Sequence, residues 1–467
     1  MNMMNRILLL LTFTFINSVN LPAQQGWVVH NTGINTELNN IMFINSNTGF
    51  LVGDTNIVFK STNGGLNWAP KMLPLSNAAE MFAVAFINQN TGYAGGGHHW
   101  SEFIYARYLL KTTNCGENWT LLYYDSLYSM NGAIVNIIPF NENEILVSNA
   151  GYIEVFNTGG IYKSTNGGLN FTSCISGGSF RSISFLNQNT GYAVNLQTTD
   201  FGPSVSKILK TTNGCSSWIV QHRDSAYGAV IFSKIQAFDS NNSYALGSVY
   251  TGGNTHTRFF RTTNSGAVWI YTQEVNSRNR DLFFINPSTG WVGGYMGQDS
   301  SVIAYTNNAG LNWTLQKKNF ISEVVKLFFI NENTGWAVLY DWGVTQNMRI
   351  LKTTTGGLVN ISHISEILPS SYSLSQNYPN PFNPETKIKI SVPLRRGDGG
   401  WNNDWMGLVR LTVYDALGRE VETLVNEALQ PGTYEVTFNG SRYNSGVYFY
   451  SLVTDGFTEA KRMLLIK

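Results

Sequence analysis

Hydrolysis of a glycosidic bond needs two carboxylates facing each other across a cleft, and a zinc site needs at least three ligands. The acids in loop-like sequence are Glu102, Asp125, Asp200, Asp224 and Asp341, and no local motif singles out a pair. His98-His99 is the one histidine cluster, but no Cys or further His stands at a helpful spacing, so the pair reads as a solvated loop. Gly95-Gly96-Gly97 precedes no helix and offers no phosphate cradle. Arg396-Gly397-Asp398 lies in a polar stretch and reads as coincidence. Cys115 and Cys215 occupy equivalent turns two repeats apart, too distant to bridge, and with Cys174 the count is odd. The three read as incidental small residues rather than a disulfide framework. The expectation is therefore no catalytic residues, no metal and no cofactor.

The residues that must position any site are far more regular. One phrase recurs seven times, beginning with Lys60-Ser-Thr-Asn-Gly-Gly-Leu-Asn-Trp68 and ending with the worn copy Lys352-Thr-Thr-Thr-Gly-Gly-Leu-Val-Asn360. Successive starts lie 44 to 52 residues apart, the period of a propeller blade in strand-rich sequence. An apolar run precedes each copy, so the phrase joins two strands. Its hydroxyl and Asn side chain can bond the backbone of the turn, its Gly accepts positive φ, and its aromatic covers the turn. The structural positions are Asn63 and Trp68, Asn114 and Trp119, Asn166 and Phe171, Asn213 and Trp218, Asn264 and Trp269, and Asn308 and Trp313.

A second phrase alternates with the first, as in Phe43-Ile-Asn-Ser-Asn-Thr-Gly49 and Phe329-Ile-Asn-Glu-Asn-Thr-Gly335, with looser copies headed by Phe140 and Phe238. Two hairpins per repeat make four strands per blade. The first phrase resembles the Asp-box, with Asn replacing Asp, and the combination resembles photosystem II assembly-factor-like propellers, and more loosely sialidases. The expected fold is all-β: a seven-bladed β-propeller of four-stranded blades over residues 24–363, followed by an immunoglobulin-like β-sandwich. Gly26-Trp27-Val28-Val29 looks like the piece missing after the seventh box, so the N-terminal strand is expected to close the last blade. Sialidase chemistry needs an arginine cluster, and the first arginine after residue 23 is Arg107.

The chain has 467 residues, a net charge of +1, and 13% charged and 13% aromatic residues. That balance gives no electrostatic reason to expect nucleic acid or an anionic membrane as partner. Residues 1–23 have a basic start, an apolar run and small residues before a cleavage point after Ala23, and read as a signal peptide. No later stretch of 18 apolar residues suggests a transmembrane segment in the mature chain. Residues 364–371 read as a linker. Beyond it, Asn377-Tyr-Pro-Asn-Pro-Phe-Asn-Pro384, Val413-Tyr-Asp-Ala-Leu-Gly-Arg-Glu-Val421 and the terminal Lys461-Arg-Met-Leu-Leu-Ile-Lys467 resemble type IX secretion C-terminal sorting domains. That resemblance covers 372–467. It implies a Bacteroidetes-type source, the type IX machinery as partner, a secreted or surface destination, and a sorting signal including Lys461, Arg462 and Lys467.

In a blade the box occupies the third turn, so the second turns and the links between blades share the opposite, upper face. The stretches Gly95–Arg107, Leu196–Ser206, Val249–Thr257 and Tyr340–Asn347 read as long second-turn loops carrying Trp100, Tyr105, Phe201, Tyr250, His256, Tyr340 and Trp342. Aromatic loops on one face of a rigid ring are a candidate binding surface. The reading is a non-catalytic binding protein with a glycan or protein ligand. The alternative is a carbohydrate-active enzyme of Asp-box propeller type.

Overall fold

The computed structural model describes residues 26–467 except 76–78, 101–103, 126–131, 151–158, 198–203, 226–229, 252–253, 276–277, 296–300, 319–321, 341–347, 358–360, 366–368, 394–406, 430, 442 and 455. The proposed signal peptide and the Arg396-Gly397-Asp398 loop lie outside the described residues. Two compact units divide at Val359 and Asn360.

The first unit holds seven four-stranded antiparallel sheets. Their innermost strands are Leu38–Phe43, Glu80–Phe86, Ala133–Pro139, Ser179–Phe185, Ile231–Ala237, Arg278–Phe284 and Glu323–Phe329, numbered here as blades 1 to 7. Middle strands are covered on both faces by neighbouring blades, which is why Gly49–Gly53 and Ile145–Ala150 are almost wholly buried apolar runs. Outermost strands such as Ile219–Asp224 face water. The ring closes with the chain's own beginning: Val28–Asn31 pairs with Arg349–Lys352 as the fourth strand of blade 7. Trp27 takes the box aromatic's seat there, buried, edge-on to Phe329 at 5.7 Å, with Nε1 donating to Gln316 Oε1 at 3.0 Å.

Six of the seven box turns use the same bonds, while the worn seventh keeps only the Thr353 hydroxyl bonds, with Thr355 in the Asn position. In blade 1 the Ser61 hydroxyl accepts from the Gly65 amide at 2.9 Å and donates to Asn63 Oδ1, which accepts from the Asn67 amide at 2.9 Å. The turn uses the Asn oxygen and no charge, so Asn serves where the resembling box has Asp. Two successive positive-φ residues complete the reversal, Gly64 and Gly65 in blade 1. The alternating phrase builds the seams. Its Phe packs edge-on to the box Trp of the same blade, as Phe43 does to Trp68 at 5.9 Å. The same Phe stacks on the second-strand aromatic of the preceding blade, Phe43 on Trp336 at 3.6 Å and Phe329 on Trp291 at 3.7 Å. The Gly of the phrase leaves space for that ring, since a Cβ on Gly49 would stand 2.4 Å from Phe43. The looser copies sit one residue out of the expected register. The amides of Phe140 and Phe238 make the bond that Ile44 makes, so Pro139 and Ala237 occupy the Phe position of blades 3 and 5.

Three further expectations are corrected. The stretches Gly95–Arg107 and Val249–Thr257 are mostly strand, because Gly92–Trp100 pairs with Ile104–Thr112 and Ser243–Thr251 with Asn254–Thr262. The boundary also moves: Ile361–Ser365, expected at the propeller's end and in the linker, pairs with Gly432–Asn439 of the second unit. Finally, Cys174 and Cys215 form a disulfide. Comparing Cys115 with Cys215 passed over the right partner. Cys174 lies on the outer strand of blade 3, which faces the box turn of blade 4, and the two Cα atoms are 5.5 Å apart. Cys215 stands at φ 82° in the slot that is Gly in the other six boxes, a conformation that disfavours any side chain. Cys115 is free.

The second unit is a sandwich of two four-stranded sheets, closed over a core that includes Ile388, Leu411, Val436, Phe438, Tyr450 and Met463. The Pro-rich opening is fixed to it: the Tyr450 hydroxyl accepts from the Asn377 amide at 2.7 Å, and buried Phe382 exchanges backbone bonds with Leu464 and Ile466.

Loss of the crosslink should be separable from loss of strain. Cys174→Ser is expected to lower stability by about 2–4 kcal/mol. Adding Cys215→Gly should return about 1 kcal/mol by freeing the left-handed slot. Urea midpoints of the full chain check this, and reductant should reproduce the first effect in the wild type.

Candidate functional site

Each innermost strand carries a β-bulge near its start, and a bulge re-aims the side chains beside it. The residues just past the bulges are Asn40, Ala83, Asn136, Ser182, Lys234, Asp281 and Lys326. Several bridge to the next blade. Asn40 Nδ2 donates to the Phe82 carbonyl at 2.9 Å, Asn136 Nδ2 to the Arg181 carbonyl at 3.0 Å, and Ser182 Oγ accepts from the Ile235 amide at 3.2 Å. In blades 5 to 7 the ring becomes ionic. Asp281 accepts from the Leu327 amide at 2.9 Å and pairs with Lys234 at 3.0 Å and Lys326 at 3.6 Å. Burial disfavours its carboxylate, but the two ammonium groups and the amide outweigh that and hold its pKa below the ordinary value. Burial pushes Lys326 down to about 8, against the pull of Asp281. One carboxylate facing two ammonium groups leaves a surplus of positive charge.

On the upper face a cavity of about 440 Å³ spans blades 4 to 6. Arg181, Arg278 and Arg280 line it with Ser233, Tyr250 and Thr255. Arg280 Nε pairs with Glu323 Oε1 at 2.6 Å, so its charge is partly met. Arg278 is exposed, and its guanidinium has no hydrogen-bond or ion-pair partner among the described residues. The Ser233 hydroxyl is buried without a partner among the described residues, and Tyr250 presents an exposed ring. Guanidinium forks bind carboxylate, phosphate or sulfate in two-point fashion, so the recess suits an anionic group beside an apolar or planar one.

Of the aromatic residues read from the sequence, the described ones fall on blades 2, 5 and 7. Tyr250 lines the recess, and His256 sits opposite Val249 on the same hairpin. Tyr340 ends a strand of blade 7, where burial and a bond to Glu37 push its phenol pKa up. Trp100 and Tyr105 lie on the extended hairpin of blade 2, in register with Ile104 and His99. Phe201 and Trp342 lie outside the described residues, as do Glu102, Asp200 and Asp341. Asp125 is committed to an ion pair with Arg107 in the seam between blades 2 and 3, and Asp224 Oδ2 accepts from the Val230 amide. His98 and His99 lie on the strand Gly92–Trp100. Among the described residues no three His, Cys, Asp or Glu side chains gather as a metal site. The arginines lie on inner strands rather than in the loops where aromatic residues suggested a site. Their signal was Arg278-Asn-Arg-Asp281, three charges in four residues opening an inner strand.

The fold and its turns define a seven-bladed propeller of the Asp-box kind. The chain belongs to the photosynthesis system II assembly factor YCF48 family, whose model matches residues 19–348. Residues 376–467 match the secretion system C-terminal sorting domain. A structure of YCF48 bound to a D1 peptide is 18% identical with a TM-score of 0.52, covering 72% of this chain and 99% of that one. YCF48 from Cyanidioschyzon merolae is 16% identical, TM-score 0.51, covering 70% and 98%. The GH74 enzyme of Niastella koreensis is 13% identical, TM-score 0.50, covering 92% and 73%. At these identities the structures establish the fold alone. No curated protein matches. A YCF48-family propeller with a secretion sorting domain is better supported than an enzyme, and the sorting domain gives the chain a secreted or surface destination with the secretion machinery as partner.

The partly buried Lys326 makes a signed prediction. Its pKa is lower folded than unfolded, so Lys326 destabilises the fold below pH 8, and that cost fades as pH rises toward 10.5. Lys326→Met is expected to raise stability at pH 7 by about 1–3 kcal/mol. The gain should shrink steadily between pH 8 and 10.5 in chemical denaturation.

Proposed function

We propose that this is an exported, non-catalytic binding protein whose upper propeller face takes an acidic peptide into the recess formed by Arg181, Arg278 and Arg280. The observation that carries the reading is Arg278, a guanidinium with no partner among the described residues, beside two others, the Tyr250 ring and a buried Ser233 hydroxyl likewise unpaired among them. Carboxylates are the natural ligand for such forks, and an extended peptide lays them along a rim while Tyr250 takes an apolar side chain. A family relative bound to a peptide is in keeping with a peptide ligand. Residues 1–23 act as the signal for the first export step in this reading. Lys461, Arg462 and Lys467 belong to the sorting signal; the first two lie on the edge strand Phe457–Leu465, and Lys467 Nζ donates to the Ser441 carbonyl at 2.7 Å.

Binding is tested by fluorescence anisotropy with labelled peptides and the full chain. A peptide rich in Asp and Glu should bind with strong salt dependence, and a neutral one of equal length should not. Arg278→Ala should weaken the acidic peptide about tenfold, or roughly 1.4 kcal/mol. Equal binding by wild type and variant would contradict the site. Turnover of a polysaccharide, abolished by one upper-face Asp or Glu substitution, would contradict the non-catalytic reading.

Export is tested separately. A reporter carrying a signal peptide and residues 372–467 should reach the surface or medium of a type IX-competent host, and removal of 461–467 should leave it in the periplasm.

A further inference from the structure

The seam between blades 2 and 3 holds a second cavity, of about 270 Å³, remote in sequence from the arginine recess. Tyr123, Tyr162, Phe171 and Ile134 form its walls, and Arg107 and Asn149 its polar end. Blade 3, which forms one side of this seam, carries two substitutions within the repeat, and Phe171, one of them, lines the cavity. Blade 3 has Pro139 where blades 1, 2, 4, 6 and 7 place a Phe, and Phe171 where five other boxes place a Trp. Phe171 turns instead to Tyr123 of the preceding blade, edge-on at 5.2 Å. The seam is thus built on the same frame as its neighbours, with less ring volume in it.

The polar end is already neutral. Arg107 is buried, paired with Asp125, and lies over the Tyr162 ring at 5.3 Å. With the Asn149 carboxamide oxygen turned toward it, Nη1 donates to that oxygen at 2.6 Å. An anion entering would compete with Asp125 and lose its hydration. A neutral ring would lie between aromatic walls, and its one polar atom could meet the guanidinium, carboxamide or phenol groups. An apolar protein cavity of ~150 Å³ accepts benzene, so a larger one has room for two fused rings.

We propose that this seam is a binding site for a small, neutral, planar aromatic molecule of indole size bearing one hydrogen-bonding atom. Indole itself is the probe, titrated into the full chain by calorimetry. Saturable binding is expected, at least tenfold weaker in Phe171→Trp, which supplies the missing ring covalently and should hold or raise the melting temperature. Ser173→Trp, which narrows the exposed rim of the cavity, provides the same reading should Phe171→Trp fold poorly. Benzoate, of similar size but charged, should fail to displace indole. Absence of saturable binding up to the solubility of indole would overturn the proposal. So would displacement by benzoate, or unchanged affinity in whichever of the two variants folds.

Discussion

A blade of this propeller has two apolar faces and can bury both only between neighbours, so the structure depends on the ring being closed. Closure rests on five residues, Trp27 to Asn31. Val28–Asn31 completes the blade whose other strands lie some three hundred residues later, and Trp27 sets the seam by packing on Phe329 and bonding Gln316. The pairing covers an edge that would otherwise offer unpaired amides to another chain. It also fixes the inner strands, whose bulged residues reach from one blade to the next. Asn40, Asn136, Ser182 and Asp281 hold the backbone of the following blade, so the channel ring is a product of closure.

The sequence made the scaffold legible because its physical demands recur. A hydroxyl and two left-handed residues serve every box turn and an amide oxygen serves six of the seven, so they reappear at nearly fixed spacing. Ring closure was legible for the same reason, since Trp27 and the strand after it matched a piece absent from the seventh repeat. What escaped the sequence was information carried by departures from the repeat. Cys215 replaces a glycine at positive φ, a costly choice that should have prompted a search for a compensating bond. Pro139 and Ala237 fill the Phe position, and the nearest Phe in sequence drew the register off by one. Arg181, Arg278 and Arg280 were not legible, because charge on an inner strand leaves no periodic trace.

The two units divide the work. The propeller supplies a rigid rim with a cationic recess, and the sandwich supplies the export address, with its Pro-rich opening and terminal strand tied to one core. The net charge of the chain is only +1, yet Lys234, Lys326 and the three arginines lie on blades 4 to 7, with Asp281 paired to the two lysines and Glu323 to Arg280. Charge is therefore placed rather than abundant. Local placement of this kind steers a ligand to one side of the ring without making the whole molecule basic.

The claim that closure positions this recess for an anionic ligand is tested most directly by hydrogen exchange on the full chain, with and without a saturating acidic peptide. Amides of Val28–Asn31 should exchange as slowly as those of Arg349–Lys352 in both states, and the peptide should slow exchange around Ile231–Ser233, Ser248–Tyr250 and Arg278–Arg280. Fast exchange at Val28–Asn31, or protection appearing at the box turns instead, would contradict the account.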